Sequence, residues 1–361
     1  MIRVLKPGAL TQLQDLGRYG FQRYGVPVNG VMDEWSHRVA NILVGNDEAM
    51  ATLECTLTGP MLQFQEERLI ALCGADMRAS IDGVPAPLNE PILLRRGATL
   101  AFGECRRGAR LYLAVRGGFD AEPVMGSAST FPRGGFGGFA GRALAKGDRL
   151  PLRAADPGYP RARRLLVQSG TPFVSAALFD VPAPEAAEAV RAMRGPQWDA
   201  FTDEARTAFV SVPFTVDAQS DRMGYRLRGE TLKLAQPLEM ISEATAFGTV
   251  QVPPDGNPIV LMADRQSAGG YPKIAYVATV DLPRLAQALP GTALRFAIVE
   301  MEEAQALYLA RAAELAALRE QVRAAMQPPA VAPDGGDARE DGAVAATGDA
   351  GEGALERARE K

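Results

Sequence analysis

Short apolar runs, each cut off by glycine, proline or a turn pair, constrain this chain more than any other feature. MLQFQ (61–65), LIALCG (69–74), PILLRRG (91–97), ATLAFG (98–103) and ARLYLAVRG (109–117) follow one another closely, after the alternating opening MIRVLKPG. Runs of this length and spacing read as strands of a barrel or sandwich. Asp82-Gly83 supplies a hairpin turn between two of them.

The pattern begins again after RAADPGYPRAR (153–163), a charged, Pro- and Gly-rich boundary. RLLVQSG (164–170), FVSVPFTV (209–216), YRLRG (225–229), GTVQVP (248–253), PIVLMA (258–263) and ALRFAIVE (293–300) are the later strand-like pieces. A weak echo links the halves: GPMLQF (59–64), GATLAF (97–102) and GTALRF (291–296) share the spacing Gly, two residues, Leu, one residue, Phe. At 361 residues the chain has the length of two ordinary domains.

Helices punctuate the strands. Asp33 is placed to cap a helix whose apolar face carries Trp35, Val39, Ile42 and Leu43, with Gly45 closing it. His37 falls off that stripe and reads as structural or solvent-facing. DLPRLAQALPG (281–291) reads as a short helix capped by Asp281 and stopped by Pro290-Gly291. Residues 301–326 are rich in Ala and Leu and put Leu307, Leu315, Leu318 and Val322 on one broad face. From 327 to 361 the chain has almost no bulky apolar residue and is expected to be a disordered acidic tail.

Charge and composition exclude several functions. The net charge of −4 comes from eight acids against four bases in 327–361, so residues 1–326 balance at 35 of each sign. No basic tract suggests a nucleic-acid or anionic-membrane footprint. No segment is apolar enough to span a membrane or act as a signal peptide, which places the chain in the cytoplasm. The three cysteines, Cys55, Cys73 and Cys105, have no CxxC spacing and read as buried thiols. His37 is the only histidine, so neither a metal site nor a Ser-His-Asp triad is expected.

Four polar, glycine-containing stretches remain: 14–33, 125–142, 219–229 and 264–275. The first has four glycines but matches no nucleotide-binding fingerprint. In the second, GGFGG has the composition of an anion-cradling nest or of a flexible loop, with Ser127, Ser129, Thr130, Arg133 and Arg142 around it. The third reads as a turn in which Asp221 caps and Arg222 pairs locally. The fourth, DRQSAGGYPKIA, ends an apolar run with a set of hydrogen-bonding side chains.

On these stretches the sequence resembles the biotin-dependent carboxyltransferase-like family, also called allophanate hydrolase subunit 2 or urea amidolyase-related. The resemblance rests on QDLGRYG (14–20), ANILVGN (40–46), GSAST (126–130), SDRMGYRL (220–227), GTVQVPPDGNPIVLMADRQ (248–266) and GGYPKIA (269–275), and runs in order over about residues 3–300. It is strongest toward members that serve as the C component of 5-oxoprolinase. Two departures stand out: Ser267-Ala268 replaces a Thr-containing loop, and Ser242-Glu243-Ala244 replaces the usual SEG.

The resemblance implies a mainly β chain of two cyclophilin-like β-barrel domains, at 1–155 and 163–300, then a helix at 301–326 and the tail. It also implies a non-autonomous subunit of an ATP-dependent complex that opens 5-oxo-L-proline to L-glutamate. Its partners would be the kinase-inhibitor-like B component and the LamB/YcsF-type A component of 5-oxoprolinase. ATP is used by the complex, and no biotin is attached to this chain. The alternatives are a carboxyltransferase-type subunit acting on urea or another small amide, and a regulatory binding partner of a kinase-inhibitor-like protein. Within the matched stretches, Arg18, Arg222 and Arg265 are candidates to hold a carboxylate or phosphate. Asp264 and Asp33 would orient them or position water, and Lys273 would stabilise a developing oxyanion. Gln266, Ser267 and Tyr271 complete the candidate set as neutral hydrogen-bonding groups.

Overall fold

The computed structural model describes residues 1–156, 158–183 and 187–327, so the tail expected at 327–361 lies, from 328 onward, outside the described residues. The first half is not a barrel. Its strands form two open six-stranded sheets. One sheet runs, in spatial order, Arg149–Leu150, Ile2–Lys6, Met61–Phe64, Thr99–Ala101, Ser80–Ile81 and Val84–Pro85. The other runs Phe173–Ser175, Pro91–Leu94, Arg68–Asp76, Arg107–Val115, Thr52–Thr56 and Leu10–Gln14. A shared core of Ile2, Val4, Leu62 and Phe64 from the first sheet and Leu53, Ile70, Leu72, Leu111 and Leu113 from the second is fully buried.

The second sheet is covered on its other face as well. Leu69, Ala71, Cys73, Tyr112 and Ala114 pack with Trp35, Val39, Ile42 and Leu43 of helix α1 (Glu34–Leu43) and with Leu315, Leu318 and Val322 of the C-terminal helix. Burial on both faces explains why LIALCG is apolar throughout instead of alternating.

The second half supplies eight strands in the order Ala293–Leu294, Phe214–Val216, Gly224–Arg228, Ile259–Leu261, Thr249–Gln251, Lys273–Val277, Val190–Arg194 and Phe296–Ile298. The two edge strands are separated only by Arg295. One stretch of chain therefore pairs antiparallel with Phe214–Val216 at one edge and parallel with Val190–Arg194 at the other. That continuity brings the sheet close to a closed barrel. Its core holds the stacked rings of Phe209 and Phe296, 4.7 Å apart, and is joined by Met32 from the loop before α1.

The expectation of two cyclophilin-like barrels is therefore corrected to one nearly closed sheet, two open sheets and a C-terminal helix. Periodicity within a strand is the same in an open and a closed sheet. Closure depends on which edge strands meet, a long-range property that strand patterns do not carry.

Several local expectations are also corrected. RLLVQSG belongs to helix α2 (Pro160–Ser169), and Phe209–Ser211 end helix α3 (Asp203–Ser211) before the strand begins at Phe214. Helix α4 (Leu282–Ala286) stops before Pro290, and Asp281 makes no side-chain cap. Asp281 instead pairs with Arg191, whose Nη2 lies 2.8 Å from Oδ1. Helix α5 (Met301–Met326) matches the expected span, with Leu315, Leu318 and Val322 buried and Leu307 half-buried. The Gly-Leu-Phe echo marks real strands: Leu62 and Leu100 are register partners, and Leu294 lies at the edge of the other sheet. Among the described residues no helix is long and apolar enough to cross a membrane.

Candidate functional site

The polar stretches converge on Asp264. PIVLM ends as a strand at Leu261, and the backbone N–H of Asp264 then donates to the Arg222 carbonyl at 2.7 Å. This fixes the two side chains face to face. Arg222 Nε lies 2.9 Å from Asp264 Oδ2, and Nη2 lies 3.0 Å from Oδ1. Asp221 builds the adjoining turn, accepting from the N–H of Met223 at 2.8 Å. Arg222 does not pair locally, as the sequence suggested. Besides Asp264 it reaches the Glu54 carboxylate, and it donates to the Gly30 carbonyl at 2.6 Å. Burial works against its charge, but Asp264 and Glu54 outweigh that and hold the guanidinium more firmly protonated than usual.

Arg18 enters from the other side. It is 1% exposed and lies over the Phe136 ring at 5.0 Å. It donates to Asn29 Oδ1 at 2.5 Å and to the Ser129 carbonyl. Asn29 Nδ2 in turn donates to Asp264 Oδ1 at 2.8 Å. The Asn29 backbone is left-handed (φ 57°), which asparagine tolerates better than other side chains, and this aims its amide between Arg18 and Asp264. Burial lowers the Arg18 pKa, opposed by Asp15 and Asp264.

The GGFGG loop serves packing. A side chain at Gly137 would collide with the Ser129 carbonyl oxygen and stand 2.8 Å from Arg18 Nη2, so the loop closes on Arg18 only with glycine there. Ser127 and Ser129 each donate to Asp15 at 2.6 Å, and Arg142 pairs with Asp148.

Asp33 lies one layer deeper. Its carboxylate caps α1, accepting from Ser36 N–H at 2.9 Å, and also takes a hydrogen bond from Gln287 Nε2 at 2.7 Å. Burial raises its pKa, against the hydrogen bonds from Ser36 and Gln287. Its backbone N–H donates to Tyr112, whose hydroxyl donates to Glu54, each at 2.8 Å. Asp33 therefore reaches Arg222 through Tyr112 and Glu54 and acts as a support. His37 is fully buried, its Nδ1 2.9 Å from Thr52 Oγ1, so its role is structural and it does not face solvent.

The remaining candidates separate into two groups. Arg265 lies 5.7 Å from the Phe247 ring and donates to the Met262 carbonyl at 3.3 Å, while its Nε is buried without a partner. Burial lowers its pKa, opposed by Tyr19 and Asp264. Its guanidinium is thus the least committed of the three. Lys273 is held elsewhere, by the Glu243 carboxylate at 2.6 Å. Gln266 and Ser267 contribute backbone carbonyls to Thr245, and the Gln266 and Tyr271 side chains are exposed.

Sequence reasoning missed Glu54, Tyr112 and Gln287, which tie the cluster together. Glu54 had one signal, an acid in the middle of the apolar strand TLECT. Arg110, beside it, donates to Tyr225 at 2.6 Å and to the Ala286 carbonyl at 2.5 Å. Among the described residues no cluster of His, Cys, Asp or Glu is suited to hold a metal ion.

The profile described as "Carboxyltransferase domain, subdomain A and B" matches residues 24–298. The C subunit of the Haemophilus influenzae 5-oxoprolinase is 38% identical, over 85% of this chain and 94% of its own length. The urea amidolyase of Saccharomyces cerevisiae is 33% identical over 85% of this chain but 17% of its own length. The crystal structure of Kluyveromyces lactis urea carboxylase superposes with a TM-score of 0.79 at 31% identity, covering 89% of this chain and 29% of that one. The chain belongs to the carboxyltransferase-domain family, related to both the 5-oxoprolinase C subunits and the urea amidolyases and carboxylases.

Proposed function

We propose that this chain is a carboxyltransferase-family subunit that binds a small amide and works on it together with partner proteins. One observation carries the reading: Arg265 offers a partly desolvated guanidinium with a single weak hydrogen bond, beside Arg18 and Arg222, whose Nη atoms are all engaged. A donor of this kind orients a carboxylate or a polarised carbonyl oxygen through paired N–H bonds.

Within that reading 5-oxo-L-proline, a cyclic amide carrying a carboxylate, is the favoured substrate. The match to a 5-oxoprolinase C subunit spans 94% of that protein, whereas the urea amidolyase match spans 17%. The net reaction consumes ATP and water and yields L-glutamate, ADP and phosphate. Arg18 and Arg222 have both Nη atoms engaged within the chain, which supports leaving the triphosphate to a partner. ATP is assigned to the kinase-inhibitor-like partner or the LamB/YcsF-type partner. Urea is the second reading, favoured by the family profile and by the urea carboxylase structure. It requires a separate carboxybiotin carrier.

Purified complexes of this chain with each candidate partner set separate the two. Consumption of 5-oxoproline with ATP and no biotin protein supports the first. Carboxylation of urea that needs a biotinylated carrier replaces it with the second.

A further inference from the structure

Two buried donors lie side by side under a small flap. Lys273 and Gln251 are register partners on adjacent antiparallel strands, and both are almost fully buried. The register slips between Val250 and Gln251: Val250 faces Ala275, yet Gln251 faces Lys273 and not Ile274. This extra residue lets Ile274 and Ala275 both join the barrel core. It also turns Lys273 onto the face that carries Gln251, since directly opposed residues share a face.

The flap is the two-stranded pair Glu243–Ala244 and Ala268–Gly269, in which Glu243 and Gly269 are partners. Glu243 contacts the Lys273 ammonium at 2.6 Å. A side chain at Gly269 would stand 2.5 Å from Gln251 Nε2, so the flap backbone sits against that amide. One flap pair thus covers one barrel pair. Gln251 Nε2 is buried with no hydrogen-bond partner, an arrangement that normally costs stability and calls for an explanation. Glu243, the acceptor that satisfies Lys273, is half exposed, on a flap whose residues 241–244 are all exposed.

We propose that Gln251 and Lys273 form a carbonyl-binding pair for the small-amide substrate, with the Glu243 carboxylate as a displaceable internal stand-in. When the flap lifts, Glu243 leaves the ammonium. A substrate carbonyl or carboxylate oxygen then accepts from Lys273 Nζ and from the vacant Gln251 Nε2. Two donors, Lys273 Nζ and Gln251 Nε2, would face the ligand, which favours an oxygen-rich, planar group. The proposal rests on the small-amide reading for its substrate, while the flap and the donor pair stand without it.

Two measurements test it in the full chain assembled with its partners. The first is acylation of Lys273 by an amine-selective reagent, followed by peptide mass spectrometry, with and without 5-oxo-L-proline or urea. Glu243→Ala is expected to speed labelling at least tenfold, and the bound amide to slow it. Labelling equally slow in both proteins, or unaffected by either amide, overturns the pair as a ligand site. The second is Gln251→Met, expected to weaken amide binding about tenfold while leaving the melting temperature unchanged or higher, because it removes an unpaired buried group. A lower melting temperature with unchanged amide affinity assigns Gln251 to structure and overturns the proposal. Turnover of 5-oxoproline that is indifferent to Gln251→Met sinks this inference alone. Protection of Lys273 by amides that are never turned over sinks only the reading of the reaction.

Discussion

Arg222 and Glu54, 168 residues apart in the sequence, form a buried ion pair that joins the barrel half of the chain to the open sheets. Glu54 sits on the strand Thr52–Thr56, and Arg222 precedes the strand Gly224–Arg228. Through them Asp264, Tyr112 and Asp33 share one hydrogen-bonded system. Replacing Arg222 with Met strands two carboxylates in the interior. The expected cost is about 3–5 kcal/mol, read from urea unfolding. The double variant Glu54→Leu/Arg222→Met should cost less than the sum of its singles; strict additivity would contradict the coupling.

His37 gives a pH signature. Burial pushes its pKa from 6.5 down to about 3. The unfolded chain therefore binds a proton that the folded chain refuses until much lower pH. The contribution to stability is complete above pH 6.5 and is lost as the pH falls toward 3. In His37→Gln the slope of unfolding free energy between these limits should flatten by up to about 1.4 kcal/mol per pH unit. An unchanged slope would place the buried ring's proton elsewhere.

Thiol reactivity should be graded. Cys55 and Cys73 are buried, and burial pushes Cys55 up to about 12 and Cys73 higher still. Cys105 is half-buried and its thiol is raised less. A disulfide reagent at pH 8 should modify one thiol in the native protein and three after denaturation. Rapid modification of more than one native thiol would contradict the packing.

Arg265 separates binding from folding. Its side chain has one weak hydrogen bond and one aromatic contact, so Arg265→Ala should change stability by less than about 1 kcal/mol. Turnover in the assembled complex should fall about a hundredfold, with assembly intact by gel filtration. Unchanged turnover would remove Arg265 from the site.

Much of this is legible in the sequence, for reasons that can be named. Asp33, Gly45 and helix α5 are local signals, carried by capping chemistry and a 3.6-residue period, and they stand where expected. Arg18, Arg222 and Asp264 stand out because each lies in a polar stretch that local structure does not require. Barrel count is not legible, since the meeting of edge strands around Arg295 is invisible to strand patterns. Asp281 has the look of a cap while its carboxylate is drawn to Arg191, ninety residues away. Glu54 and Gln251 look like ordinary strand positions, and their importance appears only with the partners that the fold brings or withholds.

Glutamate release from 5-oxo-L-proline, with ATP and the two proposed partner proteins present, is the deciding measurement. Adding this chain to the partners is expected to start glutamate formation, and leaving it out to abolish it. Partners that release glutamate equally fast without it, or an assembled complex that consumes no small amide, would contradict the role assigned to it.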